Sequence, residues 1–222
     1  MIKIRKRIKE ISEENEDREE FNETKKDSGK KFLIFFIAAL TIIYIAVFII
    51  PGSPAKFALD PSRIPQEGWR FLTYPFAHLN FDHLSKNLIA FALVAWLAIE
   101  LKTSFADFSS TYLLTGFLAV LPLWLALQFT ALGASVAIYG AFGLICFEAS
   151  KLDKKLFFLA AGIIGIILIE SFFLFAGGQT RGFVFAQASS HFSGLVFGSI
   201  FFFCLGKTKS LISKKKNFCL RR

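Results

Sequence analysis

The sequence predicts an all-α integral membrane protein built as a bundle of six transmembrane helices. The chain of 222 residues is 54% hydrophobic, contains 29 Phe and has a mean hydropathy of +0.53, which makes it far more apolar than an ordinary soluble domain. Its apolar residues come in runs close to the roughly 20 residues that a helix needs to cross a bilayer core. Polar or Gly/Pro-rich segments separate six such runs, at 32–50, 84–101, 110–130, 135–149, 155–176 and 185–206.

Charged segments flank the predicted membrane domain, which occupies residues 32–206. Residues 1–31 mix acidic and basic side chains with few large apolar ones, which predicts a charged cytoplasmic tail. This tail is either solvated or begins with a short helix on the membrane surface. Residues 207–222 are rich in Lys and Arg and are predicted to form a basic cytoplasmic tail.

The distribution of basic residues predicts the orientation. Lys and Arg are dense before the first run, at 151–155 after the fourth run, and from Lys207 onward, whereas the connections after the third and fifth runs carry only Arg181. By the positive-inside rule, both termini are predicted to be cytoplasmic. The expected location is a prokaryotic cell membrane. The longer outer connection, 51–82, contains GWRFLTYPFAHL, which is too apolar for a free loop and predicts packing at the membrane interface.

The net charge of +9 fits a membrane surface better than nucleic acid, because the basic residues sit beside apolar runs. The lipid bilayer is therefore an expected partner, and nucleic acid is not. The three cysteines, Cys146, Cys204 and Cys219, show no paired framework, so unpaired thiols are expected rather than disulfides.

The polar side chains that are unusual in a membrane protein gather at one predicted depth. His78 and His83 lie in HLNFDHLSKN at the outer end of the second helix, and Ser135 lies at the outer end of the fourth. His191 falls about a third of the way into the sixth helix from the same side. Serine needs a base to become a good nucleophile, and imidazole is the usual base. The N-terminus of the fourth helix would also favour a developing oxyanion.

Helical spacing places these groups on faces that can meet. Ser135, Tyr139 and Gly143 recur along one stripe of the fourth helix, and His191, Gly194 and Gly198 fall on one face of the sixth. The small residues on these faces allow membrane helices to approach closely. Each feature also has a plainer interpretation, because a lone intramembrane serine or a pair of glycines more often serves helix packing.

His83 and Asn87 are four residues apart and therefore neighbours on the second helix. Both can donate a hydrogen bond to a negatively charged oxygen, which predicts an oxyanion-binding role. His78 and His83 could instead be interfacial histidines or a weak metal pair. Two ligands without Cys or carboxylate support make a poor zinc site, so neither a metal nor a cofactor is expected.

The motifs, taken in order, resemble those of the rhomboid family of intramembrane serine proteases. They are WR at 69–70, H…HLSKN at 78–87, GAS at 133–135 followed by Tyr139 and Gly143, and HFSGLVFG at 191–198. The resemblance covers the chain from about 32 to 206. It implies a six-helix rhomboid-like bundle with a Ser–His dyad in a cavity that opens to the non-cytoplasmic side.

Residue roles follow from this resemblance. It implies that Ser135 is the nucleophile, that His191 is the general base, and that His83, Asn87 and the Ser135 backbone N–H form the oxyanion hole. It further implies that Tyr139 is the aromatic that packs on the catalytic imidazole and that Trp69 and Arg70 form a structural motif of the first outer loop. His78 matches one more histidine of the family, with a supporting role.

Three residues depart from the pattern or add to it. Val136 stands where such proteins commonly have Gly after the nucleophile, which predicts a less permissive backbone there. Lys86 stands where an apolar or aromatic residue is usual, and its stem could snorkel outward or alter how substrate approaches. Glu170 is the acid deep in the fifth run. It could orient His191 as a third triad member, but the resemblance implies a dyad, so a structural or gating role is favoured.

The predicted function is that of an intramembrane serine endopeptidase. Its expected partners are membrane proteins with a helix-destabilised transmembrane segment, cleaved near the non-cytoplasmic face. The alternative is a non-catalytic rhomboid-like protein that binds transmembrane helices, and the presence of both Ser135 and His191 favours the enzyme. A transporter is less favoured still, because the polar groups gather at one end rather than at the midplane and no inverted repeat is visible.

Overall fold

The computed structural model of the protein describes residues 28–219, without the side chains of 157, 160 and 205–219. Residues 1–27 of the predicted N-terminal tail, including the candidate surface helix, lie outside the described residues, as do 220–222. The interpretation of that tail therefore stays a prediction.

The described residues form α-helices joined by short connections and two 3₁₀ turns. The turns are Tyr74–Phe76 and Lys154–Phe158. The helices are α1 (Ser28–Phe48), α2 (Ser53–Phe57), α3 (Arg70–Thr73), α4 (Phe81–Glu100), α5 (Phe105–Leu118), α6 (Leu121–Leu127), α7 (Ser135–Leu152), α8 (Leu159–Ala176) and α9 (Arg181–Cys219).

The prediction of an all-α membrane bundle is confirmed. By length and composition, five helical segments of the described chain can cross a membrane: Ser28–Phe48, Phe81–Glu100, Phe105–Leu127, Ser135–Leu152 and Lys154–Ala176. They correspond to the first five predicted runs. The sixth run, 185–206, lies within α9, which continues to Cys219 and so extends beyond the predicted end of the span.

Two helices begin earlier than their apolar runs because polar side chains cap them. Asn80 accepts a hydrogen bond from the His83 N–H at 2.9 Å, so α4 starts at Phe81 and His83 lies in its first turn. Ser104 accepts from the Asp107 N–H at 3.1 Å and its hydroxyl donates to the Asp107 carboxylate at 2.7 Å, so one backbone donor of the first turn of α5 is satisfied by the N-cap side chain.

Helix α7 forms the centre of the bundle. In its most apolar stretch 56% of the residues are buried, against 6–39% for the other candidate spans. It contacts α4, α5, α8 and α9. Helix α8 is the span with 6% buried, so most of its apolar surface faces outward, where a bilayer would cover it.

The contact between α7 and α9 depends on missing side chains. A Cβ on Gly194 would lie 2.5 Å from the Val136 carbonyl oxygen, and one on Gly198 would overlap the backbone of Gly140. Gly143 abuts the Leu195 carbonyl in the same way. The faces that the sequence indicates for packing are therefore in contact, and they allow the backbones of the two helices to meet directly.

The connection between α1 and α4 is an ordered structure rather than a free loop. Its Arg70 is buried and donates hydrogen bonds to the carbonyls of Ala58, at 2.7 Å, and Ala55, at 3.0 Å. Its guanidinium also pairs with Glu67. The connection is thereby folded around one buried cation whose donors are satisfied by two backbone carbonyls and the Glu67 carboxylate.

The same connection holds the segment that precedes α7. Leu59 and Ala131 exchange backbone hydrogen bonds of 2.8 and 3.1 Å, and the Gly133 N–H donates to the Tyr74 carbonyl at 2.9 Å. The Tyr74 hydroxyl in turn donates to the Gly116 carbonyl of α5. Main-chain bonds from a rigid connection therefore fix where α7 begins.

Candidate active site

Ser135 is the first residue of α7 and is half-buried. The first bond that closes the helix runs from the Ile138 N–H to the Ala134 carbonyl, at 3.0 Å. The N–H groups of 135–137 consequently have no partner within the helix. Donors and the positive end of the helix dipole therefore lie beside the serine hydroxyl, a favourable place for negative charge.

Gly133, two residues before Ser135, shapes the turn into α7. Its φ of +103° lies in a region that side-chain-bearing residues rarely adopt. A Cβ at this position would also lie 2.7 Å from Cε1 and 2.9 Å from Nε2 of His83. Gly133 of the GAS motif is therefore required for two reasons. A residue with a side chain would be strained at this φ, and its Cβ would collide with the His83 ring.

His191 reaches the same end of α7 from α9. The residue is 5% exposed, and its ring stacks on Tyr139 with centroids 4.5 Å apart and planes inclined by 27°. Tyr139 lies one helical turn after Ser135, and the Gly194 contact with Val136 holds α9 at this level. The predicted packing of the aromatic on the imidazole is therefore present, and both Ser135 and His191 border Tyr139.

His83 and Asn87 approach from α4. The Leu79 N–H donates to His83 Nδ1 at 3.4 Å, so Nε2 carries the proton of the neutral ring and is directed at Gly133. Asn87 is buried, and its Nδ2 donates to the His83 carbonyl at 2.9 Å while lying 3.8 Å from the Cβ position of Gly133. The structure thus brings the two predicted donors together at the backbone that leads into Ser135.

His78 lies behind His83. It is fully buried, its Nδ1 donates to the Phe76 carbonyl at 3.2 Å, and its ring meets those of Tyr44 and His83 edge-on at 5.5 and 5.3 Å. Burial lowers the pKa of His78 to about 4, so the ring is neutral at physiological pH. The edge-on contact with His78 supports the His83 ring.

Trp69 and Arg70 lie apart from this cluster, in the α1–α4 connection. Trp69 is 52% exposed, and Arg70 forms the buried hydrogen bonds described above. Their arrangement fits the structural motif that the resemblance implies, since Arg70 organises the connection that anchors Gly133 through Tyr74.

The polar cluster includes Glu170, for which the sequence analysis considered a contact with His191, and Gln187, which it did not single out. Glu170 of α8 places Oε2 3.4 Å from His191 Nδ1, and its Oε1 accepts a hydrogen bond from Gln187 Nε2 at 3.1 Å. Gln187 lies four residues before His191 on α9 and is therefore its neighbour along one face. That spacing was a signal available in the sequence.

The two departures from the family pattern have simple structural settings. Val136 adopts ordinary helical backbone and packs into a buried apolar cluster with residues such as Tyr74 and Trp124. The expected restriction of the backbone thus produces no unusual angle at this position. The Lys86 side chain is 70% exposed and pairs with Asp82 at 2.6 Å, in line with a stem that extends outward.

The fold and the polar cluster define a multi-pass helical membrane protein with a serine and a histidine at one end of its central helix. A family model for the Rhomboid domain matches residues 65–208, which is more than half of the chain. The protein belongs to the rhomboid family.

Two curated relatives carry the family name. Rhomboid-like protein 11, chloroplastic, of Arabidopsis thaliana is 33% identical over 132 residues, which cover 59% of this chain and 43% of the relative. Rhomboid protease GluP of Bacillus subtilis (strain 168) is 28% identical over 193 residues, which cover 82% of this chain and 36% of the relative. The chain therefore spans less than half of the length of the curated relatives it matches.

Proposed function

We propose that the protein is an intramembrane serine endopeptidase that cleaves transmembrane segments of other membrane proteins. The observation that carries the proposal is the convergence on the N-terminus of α7. Ser135 begins this helix, His191 stacks on Tyr139 one turn further along, and His83 with Asn87 meets the preceding turn at Gly133. A nucleophile, a base and donors for an oxyanion are the parts that acyl transfer requires.

In the proposed reaction His191 accepts the proton of the Ser135 hydroxyl while Oγ attacks the scissile carbonyl carbon. The imidazolium then gives this proton to the leaving amine, which releases one product and leaves an acyl ester on Ser135. Water attacks the ester with His191 again as the base, and the second product departs as a carboxylic acid. Serine and histidine are regenerated.

The carbonyl oxygen becomes negatively charged in both tetrahedral intermediates. His83 Nε2–H, Asn87 Nδ2 and the N–H groups at the start of α7 are the proposed donors to this oxygen. The His83 ring is held by the Leu79 N–H, which donates to Nδ1, and the Asn87 amide is held by its bond to the His83 carbonyl. Preorganised donors of this kind stabilise a transition state without reorganisation during the reaction.

The proposed substrates are membrane proteins with a helix-destabilised transmembrane segment. A regular helix keeps its carbonyls bonded internally in lipid, so a segment must unwind locally before Oγ can reach one. We further propose that cleavage takes place near the non-cytoplasmic face with both termini in the cytoplasm, because the basic residues at 151–155 and from Lys207 onward favour that orientation.

A fluorophosphonate probe tests the proposal on purified protein, because it reacts with activated serines and needs no knowledge of the substrate. We expect labelling of the wild-type protein and of Ser109→Ala, which removes a half-buried serine of α5 bonded within its own helix. Ser135→Ala should not be labelled. Failure to label the folded wild-type protein, with intact binding of transmembrane peptides, would favour the non-catalytic helix binder.

A further inference from the structure

An apolar groove of about 450 Å³ runs along the first turns of α8, at the end of the bundle away from Ser135. Leu159, Gly162, Ile163 and Ile166 line it, and their spacing of three and four residues places them on one face of the helix. A Cβ on Gly162 would meet no atom within 4 Å. The missing side chain therefore leaves space that no described residue fills.

The groove faces outward rather than into the bundle. Phe158, which lines it from the turn before α8, is 74% exposed, and Ile166 is 58% exposed. The stretch 159–166 extends about 10 Å along the helix axis, which lies within the roughly 15 Å of hydrocarbon that one leaflet contributes to a bilayer core. An apolar groove of this length and depth is suited to a lipid acyl chain.

Lys155 gives the groove a cationic end at the turn that leads into α8. Within the described part of the chain, neither Lys155 nor its exposed neighbour Lys154 has an acidic partner for its ammonium group. The Asp153 carboxylate instead accepts a hydrogen bond from the Lys155 backbone N–H at 2.9 Å. Lys151 differs, because it already pairs with Glu148 at 3.1 Å. An unpaired cation thus lies where an apolar groove ends.

We propose that this groove binds one anionic phospholipid, with an acyl chain along 159–166 and the phosphate at the Lys155 ammonium. Charge complementarity selects an anionic headgroup over a zwitterionic one. The apolar lining selects a lipid over free phosphate, which would leave the groove empty. The predicted orientation places Lys155 at the cytoplasmic leaflet, where anionic lipids attract basic segments next to membrane spans.

Native mass spectrometry of the full chain in detergent tests the inference. Phosphatidylglycerol and phosphatidylcholine with the same acyl chains are added separately, and the lipids retained by the protein are counted. We expect the wild-type protein to retain one phosphatidylglycerol at concentrations where phosphatidylcholine is not retained. Inorganic phosphate at the same concentration should not displace it.

Two variants separate the headgroup contact from the acyl-chain contact. Lys155→Gln should weaken phosphatidylglycerol binding about fivefold, the contribution of one lysine near an anionic lipid surface. Gly162→Leu should weaken it by a similar factor, because its side chain takes the space of the acyl chain. Phosphatidylglycerol should also raise the melting temperature of the wild-type protein, since it binds the folded state, and should raise that of either variant less.

Each variant has a matched control. Lys102→Gln removes another exposed lysine, directly after α4 on the same predicted membrane face but outside the groove. Gly165→Leu adds the same side chain to another α8 glycine whose Cβ position has no atom within 4 Å, and Gly165 does not line the groove. Both controls should bind phosphatidylglycerol like the wild-type protein. Melting temperatures in lipid-free detergent confirm that each variant is folded.

Several outcomes would overturn the inference. Equal retention of the two lipids by the wild-type protein would remove the selectivity for an anionic headgroup. Equal losses in Lys102→Gln and Lys155→Gln would reduce the effect to general attraction between lipid and a basic surface. Normal binding by folded Gly162→Leu, or a dimer that retains no lipid, would show that no acyl chain lies in the groove. None of these measurements depends on proteolysis, so their failure leaves the proposed function standing.

Discussion

Gly198 of α9 lies so close to Gly140 of α7 that a Cβ on Gly198 would overlap the Gly140 backbone. On the other side of α7, Gly140 also faces Thr115 of α5, where a Cβ would overlap the threonine side chain. Backbone-to-backbone contact at this point sets how near α9 can come to α7. It therefore also sets how near His191 comes to the end of α7 that bears Ser135.

Gly198→Ala should consequently weaken both the fold and the site. The new methyl group meets backbone, which cannot move aside, so we expect a loss of about 1–3 kcal/mol in stability and a lower kcat. Gly162→Ala is the control, because a Cβ on that α8 glycine has no atom within 4 Å. Thermal unfolding in detergent compares the two variants. Equal melting temperatures would contradict the proposed role of the contact.

Loss of either member of the proposed dyad should abolish proteolysis without unfolding the protein. Ser135→Ala removes one hydroxyl, and His191→Ala removes a ring that stacks on Tyr139. Because nucleophile and base act as a unit, the double variant should be scarcely slower than either single variant. Cleavage rates of a membrane-embedded substrate provide the measurement, and multiplicative losses in the double variant would argue against concerted roles.

Arg70 should contribute to stability far more than its neighbour Trp69. Arg70→Lys keeps the charge but loses the planar fork that reaches Ala55 and Ala58. With the buried Ala58 carbonyl left unpaired, we expect a loss of about 1–3 kcal/mol. Trp69→Ala should leave the melting temperature nearly unchanged, because Trp69 is half exposed. Similar melting temperatures for both variants would show that the α1–α4 connection is not organised around Arg70.

The proposed orientation predicts which connections an impermeant maleimide can reach from outside intact cells. With the native cysteines replaced, Thr130→Cys in the exposed segment before α7 should react from the non-cytoplasmic side. Lys154→Cys, exposed at the other end of α7, should react only after the membrane is permeabilised. The reverse pattern would invert the orientation and move the proposed site to the cytoplasmic face.

Hydropathy was sufficient to predict the helical spans because burial in lipid acts on every side chain of a run. Helix ends were less predictable, since Asn80 and Ser104 extend α4 and α5 through local caps that hydropathy does not register. The spacing of Gly194 and Gly198 did predict a packing face, because small residues on one side of a membrane helix have few other uses.

His191 was one partner considered for Glu170, but the sequence alone could not select it. Its position in an apolar run indicates a special role, but the rotation of α8 about its own axis decides which residue the carboxylate faces. That rotation depends on contacts with α7 and α9 that are distant in sequence. The requirement for Gly133 is similar, because its second constraint comes from the His83 ring on another helix.

Asn87 offers the sharpest test of the proposed oxyanion hole. Its side chain bonds to the His83 carbonyl of its own helix, so its loss would not untie α4 from a neighbour. Asn87→Ala should therefore change the melting temperature little while lowering kcat at nearly constant KM. Removing one such donor in soluble serine proteases costs about 10²–10³-fold. We expect less here, because His83 and backbone N–H groups remain.

Asn80→Ala provides the control for Asn87→Ala. It also removes an asparagine amide, but one that precedes α4 and caps the helix by accepting from the His83 N–H, and loss of such a cap costs about 1 kcal/mol. Its main effect should be a lower melting temperature, with turnover per folded molecule closer to normal. Purified variants are compared by steady-state kinetics and thermal unfolding. Normal kcat with a lowered melting temperature in Asn87→Ala would remove Asn87 from the oxyanion hole and leave it a structural residue of α4.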